Sequence, residues 1–139
     1  MRTSILIVTG LFLLVLSCSA PKGVVQIKEN DTEIPAEDSI EYELETFDLK
    51  FENWYLIHNS PATYRSQAYY ENWNRQYVSA WNYNAFHSSK SWFFEPVIGY
   101  SPAEDYGFEL NHELFYYFMY VENVLKIKIM SGGPKSIFL

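Results

Sequence analysis

The sequence predicts an α+β fold in which a small sheet packs against two amphipathic, aromatic-rich helices. Two short stretches, Ile40–Glu45 and Leu125–Ile129, alternate apolar and charged residues with period two, the pattern of half-buried strands. Two longer stretches repeat large apolar residues at spacings of three and four, the pattern of helices with one buried face. Residues 47–130 contain 23 Phe, Tyr and Trp in 84 positions. Rings contribute the most buried area per residue, so this density supplies a core for a domain too small to bury a large fraction of its surface.

The elements follow in order. Ile40, Tyr42 and Leu44 alternate with Glu41, Glu43 and Glu45, a strand with an acidic outer face. Phe51–Ile57 reads as a further strand or a short helix. Ser60-Pro61 has the form of a helix start, with a capping hydroxyl followed by proline at the first helical position. From there to about Phe86, Tyr69, Trp73, Tyr77, Ala80, Trp81 and Asn84 line one face of a helix about 39 Å long. Residues 88–110 form a loop long enough to be a functional element. It holds Trp92-Phe93-Phe94, and its Ser101-Pro102-Ala103-Glu104 has the form of a capping box for one short helical turn. Asn111 is the expected N-cap of a second helix aligning Leu114, Phe118, Val121 and Leu125. Leu125-Lys126-Ile127-Lys128-Ile129 closes the domain as a strand with a basic outer face, expected beside the acidic strand with Glu43 near Lys126.

Domain organisation follows composition: an export leader over 1–17, an acidic flexible tether over 18–39, a single domain over 40–130 and a tail over 131–139. Residues 19–39 contain few large apolar side chains, the profile of a segment that orders poorly. As a flexible coil they would span about 25 Å. The weak alternation of Val24, Val25 and Ile27 is compatible instead with a short strand. Residues 19–46 carry eight acids and two lysines, whereas residues 47–139 carry nine acids and seven bases. Without clustered Lys and Arg, this distribution argues against a nucleic-acid partner and against electrostatic docking on anionic lipid.

The leader has a basic start at Arg2 and an apolar run from Ile5 to Leu16, shorter than the roughly 20 residues a membrane-spanning helix needs. Val15-Leu16-Ser17-Cys18 resembles the cleavage motif of a bacterial lipoprotein signal. The resemblance implies cleavage before Cys18, a diacylglyceryl group on its sulfur and a fatty-acylated, palmitate-bearing amino terminus. Cys18 is the only cysteine, so its consumption leaves the mature domain without a disulfide, a thiolate metal site or a cysteine nucleophile.

Trp54, Tyr69-Tyr70-Glu71-Asn72-Trp73-Asn74, Tyr77-Val78-Ser79-Ala80-Trp81-Asn82, Asp105-Tyr106-Gly107, Leu110-Asn111 and Leu114-Phe115-Tyr116-Tyr117-Phe118 resemble an uncharacterised family of small exported domains from Bacteroidetes-type bacteria. The resemblance covers roughly residues 47–130. It implies an envelope lipoprotein and carries no activity with it.

No catalytic, cofactor or metal motif stands out. His112-Glu113-Leu114-Phe115-Tyr116 begins like the zinc-protease helix but has tyrosine where the second histidine ligand must stand. Glu95 and Asp105 are a carboxylate pair whose separation would decide any role at a glycosidic bond. Asp38-Ser39-Ile40 resembles a bacterial O-glycosylation acceptor. The expected role is therefore binding or structural support of another envelope protein by a chain anchored in the membrane through its lipid. Carbohydrate recognition by exposed rings is the alternative, and a small hydrolase ranks third. The candidate surface is Trp73, Asn74, Tyr77, Trp81, Asn82, Tyr100 and Tyr106, which combines rings for stacking with amides for hydrogen bonding.

Overall fold

The computed structural model describes residue 23 and residues 25–30 and 41–137. The leader, Cys18 and Asp38-Ser39-Ile40 lie outside the described residues. Two strands, β1 (Val25–Asn30) and β2 (Glu41–Thr46), precede three helices, α1 (Leu49–His58), α2 (Gln67–His87) and α3 (Gly107–Asn123). Single 3-10 turns occur at Pro61–Thr63 and Ser91–Phe93. The fold class is α+β, with the sheet, α1 and α2 all packed on α3.

The acidic strand forms as expected, but its neighbour differs. β2 pairs antiparallel with β1, with Ile27 opposite Leu44 and Lys28 opposite Glu43. Val25, Ile27, Tyr42 and Leu44 share the inner face, while Gln26, Lys28, Glu43 and Glu45 share the outer one. The expected carboxylate–lysine attraction is therefore met by Lys28, whose Nζ lies 2.6 Å from Glu45 Oε2. Residues 25–30, expected to be part of the tether, are thus built into the sheet, and Val25 is fully buried.

Leu125–Ile129 is not a strand. Lys126 has φ +57°, a left-handed conformation that reverses the chain just after α3. The Leu125 and Ile127 amides bond back to the Tyr120 and Val121 carbonyls at 3.1 Å each. Beyond that turn, α3 and α2 replace a neighbouring strand. Glu122 Oε1 accepts from the Ile129 and Met130 amides at 2.9 and 3.1 Å, and Asn84 donates to the Ile129 carbonyl at 2.8 Å.

Helix boundaries follow the caps actually formed. The segment after β2 is helical because Asp48 accepts from the amides of Lys50 and Phe51 at the start of α1. Ser60-Pro61 begins only a single 3-10 turn, and Ser60 makes no side-chain cap bond. Ser66 is the working cap of α2, accepting from the Tyr69 amide at 3.2 Å. The 21-residue helix is accordingly about 31 Å long, shorter than expected. Helix α3 begins at Gly107, whose φ of +71° suits glycine, and not at Asn111. Ser101–Glu104 makes a turn, not a helix.

Helix α3 is buried on every side from Leu110 to Val121 except at Glu113, the environment of a helix enclosed by its neighbours. Phe51 from α1 meets Tyr117 edge-on with ring centroids 5.1 Å apart, and Tyr77 from α2 stacks on Phe118 at 5.0 Å. Phe93 and Phe94 are buried against Trp81, so the long loop contributes core rings.

Gly23 closes this core from the N-terminal side. Its amide donates to the Phe93 carbonyl at 3.1 Å, and an added Cβ would lie 2.5 Å from the Trp81 ring and 2.9 Å from Phe93. Gly23→Ala is expected to destabilise the domain by about 1–3 kcal/mol through overpacking, outweighing the roughly 0.4–1 kcal/mol gained by restricting the unfolded chain. A urea unfolding series checks this; an unchanged or higher midpoint would contradict the close approach. Glu122→Ala, which leaves the Ile129 and Met130 amides without their acceptor, is expected to cost about 2–4 kcal/mol in the same assay.

Candidate functional site

The seven expected surface residues are mostly interior. Asn74, Tyr77 and Trp81 are fully buried and Tyr106 nearly so, whereas Trp73, Asn82 and Tyr100 are half-buried. Their polar tips hold the molecule together. Asn74 donates to the Asn111 carbonyl and side-chain oxygen at 2.8 and 3.1 Å, and Tyr100 donates to that same side-chain oxygen at 2.7 Å. Asn82 both donates to and accepts from the Ile98 backbone at 2.9 and 2.8 Å, clamping the long loop onto α2. Tyr77 donates to Glu122 at 3.0 Å, and the Tyr106 hydroxyl accepts from the Ser101 amide at 2.8 Å. The helical spacing was a core stripe. A ring cannot both stack on a sugar and lie at zero exposure, so Tyr77 and Trp81 offer no sugar platform.

One concavity on the described surface runs along α2 and shares Ala80 and Asn84 with the aromatic face. Arg75, Gln76, Ser79, Ala80, Tyr83 and Asn84 form one wall, Ile129 and Met130 the other, and the groove encloses about 590 Å³. Ala80, Tyr83 and Met130 provide an apolar floor, while Arg75, Gln76, Ser79 and Asn84 provide polar groups at its rim. Tyr83 is 62% exposed and stacks on His87 with centroids 4.2 Å apart and planes 12° from parallel. The sequence carries a signal for this wall, because Gln76, Ser79, Ala80 and Tyr83 recur at spacings of three and four. Its far wall depends on how residues 125–130 fold back and is not visible in any local pattern.

Two titratable groups on α3 are strongly perturbed. His112 is buried, its Nδ1 is 2.9 Å from the Tyr55 hydroxyl, and burial lowers its pKa to about 4. Tyr64, Tyr70 and Tyr116 surround it, with centroids 4.5, 5.0 and 4.2 Å away. Nε2 of His112 and Oδ1 of Asn74 are buried side-chain atoms without a hydrogen-bond partner among the described residues. Burial raises the neighbouring Glu113 to about 7, with Glu43 and Glu52 adding repulsion. Asp105 is occupied by Gln67 and the Gly107 amide, at 2.9 and 3.0 Å. Among the described residues, no three His, Cys, Asp or Glu side chains are grouped to hold a metal ion. None of the described helices is long and apolar enough to cross a membrane.

These shifts give opposite pH dependences. The depressed His112 pKa contributes stability that is present above pH 6.5 and lost as pH falls towards 4, because the unfolded chain binds the proton first. The raised Glu113 pKa favours the folded chain below 4.5, and that advantage is lost as pH rises through 7. Glu113→Gln is therefore expected to stabilise the protein at pH 8 by roughly 1–2 kcal/mol after solvent screening, and much less at pH 5. Denaturant midpoints at the two pH values check this, and an equal effect at both would remove the proposed burial of charge.

Comparison with known proteins adds a family without an activity. No curated protein and no solved structure matches the chain. A model described as a family of unknown function, DUF6146, matches residues 5–133, a longer span than the resemblance in the sequence covers. The chain thus belongs to the DUF6146 family.

Proposed function

We propose that this chain is a lipid-anchored protein of the bacterial cell envelope that works as a binding or structural accessory module for another envelope protein. The groove between α2 and residues 129–130 carries the binding part of the reading. It is open, it joins an apolar floor to a polar rim, and it leaves Arg75, Gln76, Ser79 and the Tyr83 ring exposed while Ile129 and Asn84 tie its far wall to the core. The anchor rests on the sequence, where Val15-Leu16-Ser17-Cys18 follows the apolar run. A segment from a partner would cover Tyr83 and Met130 and meet Arg75, Gln76 and Asn84 at its edges.

Carbohydrate binding keeps one specific support, the exposed Tyr83 ring beside Asn84 and Arg75 in the same groove. The two readings separate experimentally. With a photo-reactive amino acid replacing Ser79 in the full chain, irradiation in cells is expected to capture one dominant envelope protein. The same group at Pro102, an exposed position outside the groove, should not capture it. Equal capture from both positions, or none from Ser79, would sink the protein-partner reading. Retention on a glycan array that is abolished by Tyr83→Ala would replace it with the carbohydrate one.

A further inference from the structure

We infer that the end of the domain around Gly23 rests against the bilayer that holds the lipid, with Phe47, Leu49 and Trp92 in the headgroup region. This rests on the lipid-anchor reading of Cys18. Chain length makes the first argument. Only five steps separate Cys18 from Gly23, and at full extension they reach about 17 Å. Gly23 is no free linker, because it is buried, bonded to Phe93 and packed on Trp81 without room for a methyl group. The folded body therefore begins within about 17 Å of a sulfur whose acyl chains lie in the membrane. The 21-residue spacer expected from composition would allow much more freedom.

What surrounds Gly23 makes the second argument. Thr46 is opposite Val25, so Phe47 emerges at the end of the hairpin where Gly23 enters, and Leu49 follows on the first turn of α1. Trp92 adjoins Phe93, the residue to which Gly23 is bonded. These three are 68%, 71% and 41% exposed, an apolar cost in water that insertion among headgroups would remove. Trp and Phe match the chemistry of an interface that accepts amphipathic and apolar rings, so the contact is carried by ring insertion and not by charge. The acid between Phe47 and Leu49 is Asp48, and it is turned onto the amides that begin α1. Leu56 and Ile57, also exposed, lie at the opposite end of α1 and are not part of this surface.

The test uses the full chain produced in cells and purified with its lipid, since acylation of Cys18 blocks the chain's only native thiol. Phe47→Cys, Trp92→Cys and, as a control on the N-terminal half of α2, Asn72→Cys are each labelled with an environment-sensitive fluorophore. The proteins are then placed in vesicles of phosphatidylethanolamine and phosphatidylglycerol. Blue-shifted emission at 47 and 92, quenched by lipids carrying a nitroxide near the headgroup, with neither effect at 72, is the expected result. Intact mass is read on the same samples. Lipidated protein whose labels at 47 and 92 match the label at 72 would overturn the membrane-facing surface and leave the anchor standing. Protein whose mass shows no acyl addition at Cys18 would remove the anchor, and this inference with it.

Discussion

The enclosure of α3 by aromatic rings is the constraint on which the rest of this structure depends. With one cysteine in the sequence, no disulfide within the chain shares the work of holding the elements together. Each neighbour instead lays rings against the central helix: Phe51 on Tyr117, Tyr77 on Phe118, and Trp81 between Phe94 and Tyr117. Such pairs add about 0.5–1.5 kcal/mol each beyond their buried area, and they restrict relative orientation in a way that aliphatic contacts do not.

A core made largely from tyrosine and tryptophan brings polar atoms inside, and this requirement organises the loops. The Tyr77 hydroxyl finds Glu122, whose other oxygen holds the Ile129 and Met130 amides, so one carboxylate links α2, α3 and the C-terminal segment. Trp81 donates to the Pro96 carbonyl at 3.4 Å, and Tyr100 completes the Asn74–Asn111 contact. The long loop is consequently tied at several points beneath the helices. Glu122 accepts bonds from the Tyr77 hydroxyl and two amides, whereas Glu113 on the same helix is raised by burial and by the charges of Glu43 and Glu52.

Much of the architecture was legible because period-two and period-four patterns report burial directly. The acidic strand and both long helices lie where their patterns place them, with shifted starts. Ser60 and Ser66 are both chemically capable caps, and only the geometry of the following turn chooses between them. The partner of the acidic strand was mistaken because Lys28 and Lys126 present the same charge logic, and a local pattern says nothing about which lysine comes near. The left-handed turn at Lys126 settles the matter through backbone conformation, which no side-chain alternation encodes. The candidate surface failed for a related reason. An aromatic stripe on a helix announces that something covers it, and here the cover is α3 and the chain's own loop, so the groove opens at the margin of that stripe, from Ala80 and Asn84 outward to Tyr83, Ser79 and Gln76.

Gly23 and Gly133 are close-approach positions on adjacent turns of the same helix, one against Trp81 and the other against the Tyr77 hydroxyl. Each contact spans more than fifty residues, from opposite directions along the chain. Both ends of the domain must therefore be drawn back to the middle of α2 before the glycines can seat, so sealing the core depends on closing two long loops and not on local contacts.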